Sequence, residues 1–473
     1  MYDTCEPLLF YKVLNGEYEH NNGNDEAHNK ESCFFMRLYY TSLIITKRDQ
    51  MSKIIEHFKT LTQIPHCSKE AELLLDFLVH FAKERNYDVE VDEVKNIFIS
   101  KGSAKLCLQA HYDMVCMGKA PQIETYIEEG WMKAKDSSLG ADNGMAIAMM
   151  MQLMDEGEAL EFLLTSDEEI GLIGANEVAF DLKSKYMLNL DSEDEAEVYI
   201  GCAGGADITA SKTDTYVEGK GDCYEVAVKG LVGGHSGVDI DKGIPSAIKV
   251  LGEYLFDHKV TQLASIYAGE RRNSIPANAV AIIRSDKVLE NRGDVKVRKL
   301  HEQPLVFSEG QKIIDLIHCF KHGVRAQNEA LAIPDVSINL AIITADEKGG
   351  VVIETSARAM DIDSLETLTQ ETTAFFETYG FEVVVEDKYP AWKPDVSEFT
   401  NLVSKEMKSV FGKTKMMAIH AGLECGVIAE KYPSMKFASI GPTIRYPHSS
   451  REKVKLDSVE KTFKVLQGII ASI

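Results

Sequence analysis

From residue 51 onward, short apolar runs alternate with runs of helical spacing, and an acid or a histidine repeatedly stands where a short run stops. KLCLQA (105–110) is followed by His111. LEFLLTS (160–166) is followed by Asp167, Glu168 and Glu169, and YMLNLD (186–191) ends on Asp191. DVEVDEV (88–94) and NIFISKG (96–102) are further short runs, while EAELLLDFLVHFAKERN (70–86) and MAIAMMMQLMDEG (145–157) read as helices. Strands of this length between helices predict an α/β fold whose central mixed sheet, largely parallel in its middle, is flanked by helices. Sheets of that kind collect ligands beyond the carboxyl ends of their strands. His111, the 167–169 acids and Asp191 are therefore expected along one rim.

A chain of 473 residues exceeds one ordinary core, and its rhythm changes at about residue 206. CYEVAVKGL and NAVAIIRSD read as strands around a helix, PSAIKVLGEYLFDH. SINLAIITAD, VVIETSARAMD, a helix SLETLTQETTAFFETYG and a strand FEVVVED follow. Residues 206–392 thus read as an inserted α+β domain, with 51–205 and 393–473 as the two halves of the first domain. The strand MKFASIG (435–441) returns to that first sheet. Ahead of them, GEYEHNNGNDEAHNKES (16–32) has no period, whereas Ile54, Ile55, Phe58, Leu61 and Ile64 keep helical spacing. Residues 1–50 are expected to be a disordered, dispensable extension.

A formal charge of −23 speaks against nucleic acid and against anionic membrane as partners. The longest apolar stretch, CFFMRLYYTSLIIT (33–46), is interrupted by Arg37 and falls short of the roughly 20 residues a span requires. No basic start with a cleavage site opens the chain, so a cytoplasmic protein is expected. Its nine cysteines are scattered without a CxxC pair, which predicts reduced thiols.

Several side chains can carry chemistry. In an extended His111-Tyr-Asp113, residues two apart share a face, so the carboxylate can hold the imidazole; alone, this pattern also fits an ordinary core or surface. Asp142 in SSLGADNGMAIAMMM opens a helix and, taken alone, reads first as its N-cap, though its two oxygens can also bridge two cations. Three successive acids at 167–169 after a buried strand would repel one another unless cations were near. One could then ligate while a neighbour served as general base. His235 lies in the flexible GGHSG and His448 in RYPHSSRE.

In order and spacing, HYD, SLGADNGMAIA, TSDEEIGLIGA, NLDSEDE, GGHSG and PHSSRE resemble the M20 family of co-catalytic metallopeptidases. CAGGAD, HAGLECG and GPTIRYPHS are similar in particular to its aminoacyl-histidine dipeptidase branch, and the resemblance runs from about Met51 to the C-terminus. It implies a di-metal exopeptidase fold with a lid at 206–392, and two divalent cations, zinc or else cobalt or manganese. His111 and Asp191 would hold one cation and Glu169 and His448 the other, with Asp142 bridging; Glu193 is the alternative to Asp191. Asp113 would orient His111, Glu168 would be the base, and His235 would stabilise the oxyanion. Asn273, Arg358 and Glu424 would bind a short peptide, the resemblance placing Arg358 on its terminal carboxylate. A cis bond at 142–143 and a homodimer formed through the lid are also implied. The expected reaction is hydrolysis of dipeptides, Xaa-His among them. A tripeptidase and an N-acyl-amino-acid amidohydrolase are the alternatives.

Overall fold

The computed structural model describes residues 50–345 and 349–473. The expectations for residues 1–49, including the 33–46 stretch, lie outside them. A helix covers 50–61, where the apolar spacing placed one.

The first sheet has eight strands. Across it they run Asp88–Val91, Ile97–Ser100, Glu161–Thr165, Leu106–His111, Tyr186–Asn189, Lys436–Ser439, Glu197–Cys202 and Lys415–Ile419. The four from Glu161–Thr165 to Lys436–Ser439 are parallel to one another, and the flanking pairs include antiparallel ones. Leu106–His111 and Glu161–Thr165 are buried at every position. This explains their unbroken apolar runs, because a parallel strand is covered on both faces. Helix Ala141–Glu156, rich in Met and Ala, is buried almost throughout, as expected of a helix that is apolar all round.

The second sheet has nine strands, all paired antiparallel, between Gly204 and Tyr389. Along Gly204–Thr213, buried Ala206, Ile208 and Ala210 alternate with partly exposed Asp207, Thr209 and Ser211. The buried set packs with residues of helices Ala247–Asp257, Gly310–Cys319 and Ile362–Thr378. The period-two pattern is that of a sheet covered by helices on one side.

A small four-stranded sheet joins Thr125–Glu128, Trp131–Ala134, Lys453–Lys455 and Ile444–Arg445. Its last two strands form a hairpin whose loop spans 446–452. The 142–143 peptide is cis, as the resemblance implied.

One expectation fails. Cys67 and Cys116 form a disulfide, while the described Cys107, Cys202, Cys223, Cys319 and Cys425 are free. The pair is 49 residues apart, so no sequence spacing announces it. The two segments meet in the fold, where Met114 N–H donates to the His66 carbonyl at 3.0 Å and Ser68 N–H to the Met114 carbonyl at 3.2 Å.

Candidate metal centre

His111 ends the strand Leu106–His111, and its imidazole is 1% exposed. Nδ1 lies 3.0 Å from the Asp113 carbonyl oxygen and 3.4 Å from Asp113 Oδ1. Nε2 lies 3.2 Å from Asp142 Oδ1 and 3.4 Å from Asp191 Oδ1. Asp113 is itself pinned: Ser68 Oγ donates to Oδ2 at 2.7 Å and the Glu168 backbone N–H to Oδ1 at 3.0 Å. Burial raises the Asp113 carboxyl, but His111 and these donors hold it below its ordinary value.

Asp142 begins the long buried helix. Gly140, in front of it, has φ +70°, and a Cβ there would meet Met114 Sδ at 2.9 Å, so glycine suits this turn. The second Asp142 oxygen, Oδ2, lies 3.1 Å from His448 Nε2, and Glu169 Oε2 lies 2.9 Å from that same nitrogen. Asn143 Nδ2 donates to Asp191 Oδ1 and, at 3.2 Å, to the Leu190 carbonyl. Two groups of ligand atoms, each within 4.8 Å of one another, therefore share Asp142: His111–Asp142–Asp191 and Asp142–Glu169–His448. Glu193 belongs to neither; burial and repulsion from Asp142 and Asp191 push its carboxyl up to about 8.

The donor chemistry fits a pair of cations. Burial, joined by repulsion from neighbouring carboxylates, raises Glu168, Glu169 and Asp191. At the histidines the two influences oppose each other. Against burial, the carboxylates raise His111 and push His448 up to about 11. Glu169 Oε1 is buried without a hydrogen-bond partner. Positive charge placed among these oxygens would relieve each of these conditions.

The other expected residues lie on separate elements. The two-residue strand Gly234–His235 pairs with Ser274–Ile275, which brings the exposed Asn273 beside it. His235 Nδ1 accepts the N–H groups of Gly237 (3.1 Å) and Val238 (3.3 Å). Burial, then the Arg358 charge, lowers His235 to about 4, so the ring is neutral with its proton on Nε2. Gly237 sits so close to His420 that a Cβ would meet the His420 carbonyl oxygen at 2.4 Å. Arg358 is buried in its strand; Nη1 donates to Tyr389 Oη at 2.8 Å, and Nε is buried without an acceptor. Glu424 is fully buried. Its Oε2 accepts from Gln109 Nε2 at 2.5 Å and Thr165 Oγ1 at 2.8 Å, while Oε1 has no partner. Burial, with Asp191 adding repulsion, pushes Glu424 up to about 7.

The sequence profile of Peptidase family M20/M25/M40 matches residues 107–472. The chain belongs to this peptidase family. As an M20 peptidase it is a hydrolase of peptide bonds. It is 32% identical to the cytosol non-specific dipeptidase of Escherichia coli (strain K12), over 88% of this chain and 96% of that protein. The crystal structure of aminoacylhistidine dipeptidase from Vibrio alginolyticus superposes with a TM-score of 0.76 at 31% identity, covering 89% of this chain and 96% of that one. A Staphylococcus aureus tripeptidase shares the fold at a TM-score of 0.56 and 16% identity, covering 89% and 97%. The M20 fold is a mixed α/β one with a lid, and the family works with two metal ions, which the paired ligand groups around Asp142 match.

One residue near this centre carries no role from the sequence. Glu452, at the end of PHSSRE, is 3% exposed and accepts four backbone N–H groups of residues 139–142. Its partners are more than 300 positions away in sequence, and only the literal run PHSSRE could have drawn attention to it.

Proposed function

We propose that this peptidase is a two-metal dipeptidase, acting on Xaa-His and other short peptides. The observation that carries the reading is one carboxylate facing two histidines: Asp142 Oδ1 lies 3.2 Å from His111 and Oδ2 3.1 Å from His448. On this reading His111 and Asp191 would hold one cation and Glu169 and His448 the other, with Asp142 shared between the two groups. Mixed imidazole and carboxylate donors suit zinc, and would also take manganese or cobalt. Bound there, the pair supplies Lewis acidity at the scissile carbonyl and lowers the pKa of a water towards about 7.

The chain's own groups do the rest. Asp113 fixes the ring of His111. Glu168 takes the proton of the attacking water and passes it to the leaving amine. With Nδ1 occupied as an acceptor, His235 presents its Nε2–H to the oxyanion, a contact worth about 3–4 kcal/mol in comparable sites. Arg358 grips the terminal carboxylate through donors that Tyr389 leaves free, and Asn273 lines the same end. Glu424 takes the amino group at Oε1. Holding both ends excludes long substrates. The 206–392 segment serves as the lid that closes water out and as the face through which a homodimer forms. A cytoplasmic location is part of this reading, supported by the cytosolic relative.

The test is a substrate panel on metal-stripped protein with zinc, manganese or cobalt restored. Free dipeptides should be cleaved only after metal is returned, and N-acetyl or C-amide derivatives at least tenfold more slowly. Faster turnover of N-acyl amino acids or tripeptides would sink the dipeptidase reading.

A further inference from the structure

Glu452 and His448 lie on one hairpin loop, between the paired strands Ile444–Arg445 and Lys453–Lys455. The loop is braced internally, Glu452 N–H donating to the Ser449 carbonyl at 3.1 Å. From it, His448 reaches Asp142 Oδ2 at 3.1 Å, while Glu452 reaches the backbone that carries Asp142. Glu452 Oε2 accepts the N–H groups of Leu139 and Gly140 at 2.7 and 3.0 Å. Oε1 accepts those of Ala141 and Asp142 at 2.8 and 3.2 Å. The helix from Ala141 receives no side-chain cap from its own N-cap position, Gly140. A distant carboxylate therefore satisfies donors that a helix start leaves open.

We propose that Glu452 is a positioning residue for the metal centre: it fixes the backbone of Asp142 so that the two carboxylate oxygens point to opposite sides. The inference rests on the two-metal reading above. The side-chain oxygens of Asp142 must be free to ligate, and its neighbour Asn143 ties the next residue to Asp191. Four donors converge on Glu452, so an acceptor-only group is required there; a glutamine would turn its NH2 against two of them. Bonds of N–H groups to an ionised carboxylate are about twice as strong as neutral ones. Sharing a loop with His448 couples the two sides: whatever shifts Glu452 also shifts a ligand on the far side of Asp142.

The experiment compares Glu452→Gln and Glu452→Asp with Glu161→Gln. Glu161 is an instructive control. It is also buried and also accepts two backbone N–H groups, from Lys183 (2.9 Å) and Ser184 (3.0 Å), but it begins the strand whose other end faces the centre. Zinc stoichiometry and affinity are read by chelator competition, the site by the visible spectrum of the cobalt-loaded protein, and folding by melting of the metal-free protein. Glu452→Gln should lose affinity 10- to 100-fold, the range for residues that orient ligands. Its cobalt spectrum should change, and kcat should fall with KM nearly constant. Glu452→Asp keeps the charge with a shorter reach and should fall between it and wild type; it also answers the question if the Gln variant does not fold. Glu161→Gln should lower the melting temperature while keeping wild-type affinity and spectrum. If the Glu452 variants behave like Glu161→Gln, the positioning role is wrong. If the wild type itself takes up fewer than two ions, the two-metal reading fails first, whatever the variants do.

Discussion

In the eight-stranded sheet, Leu106–His111 and Glu161–Thr165 have no exposed position, whereas in the nine-stranded sheet Gly350–Ala359 has two different faces. There Val351, Ile353, Ala357 and Ala359 join the helix-covered core. Residues two apart share a face, so Glu354, Ser356 and Arg358 lie on the other. A sheet covered on both sides offers polar groups to an open site mainly where its strands end. His111, Glu169 and Asp191 stand at or just after such ends, while Asp142 opens a helix and His448 comes from the 446–452 loop. A sheet covered on one side can offer them along its length, and Arg358 is such a residue. The candidate ligands are thus gathered near one rim of the first sheet, whereas Arg358 stands within the length of a strand of the second.

The sharpest break between the two regions is expected at Glu168. Glu168→Gln should lower kcat by about 10³–10⁴, the upper part of the range for a general base, while two metals remain bound. Stoichiometry beside turnover checks this, and near-normal turnover would remove Glu168 from that role.

The second region, residues 206–392, should matter less for the rate and not at all for metal. His235→Ala is expected to cost about 10²–10³ in kcat, as for a lost oxyanion donor, with metal content unchanged. Gly237 rests on the carbonyl of His420 in the same chain, so His235 is expected to act within its own chain. Mixing His235→Ala with Glu168→Gln subunits should restore nothing. Recovered activity would mean that the histidine serves a partner's site.

This contrast also explains what the sequence could disclose. His111, Glu169 and Asp191 follow apolar runs long enough to read as strands, so the rim was legible from local order. Arg358 was not, because a cation on a sheet face has no local signature, and only the resemblance singled it out. Glu452 and the strand Lys453–Lys455 after it escaped for another reason: their partners are Leu139 to Asp142 and Trp131–Ala134, distant in the chain. The edge strand Lys415–Ile419 is short and only partly buried, too weak a pattern to read.

The disulfide belongs to this long-range class, and it touches the first region alone. Cys67 adjoins Ser68, whose hydroxyl holds Asp113. Cys67→Ser opens a loop closed over a separation of 49 residues, for which a loss of roughly 2–4 kcal/mol is expected. Denaturant midpoints of the variant, and of wild type with and without reductant, check it. A midpoint insensitive to both would show that the bond contributes nothing in solution.

The smallest effect separates the regions by pH. His322 lies in the second, where the Leu340 N–H donates to its Nδ1 at 3.0 Å. Burial, then the nearby Lys249 charge, lowers it to about 4 from an ordinary 6.5. Its folded pKa lies below the unfolded one, so protons favour the unfolded chain. The contribution is complete above about pH 6.5, shrinks as the pH falls, and is gone below about 4. A displacement of this size amounts to at most roughly 3–4 kcal/mol. In His322→Asn the amide cannot take up the proton, so the variant should be less stable at pH 7 by an amount that narrows steadily towards pH 4. Melting of the two metal-stripped proteins across that range measures the difference directly, and titration of other groups cancels between them. A gap constant with pH would leave His322 as packing only.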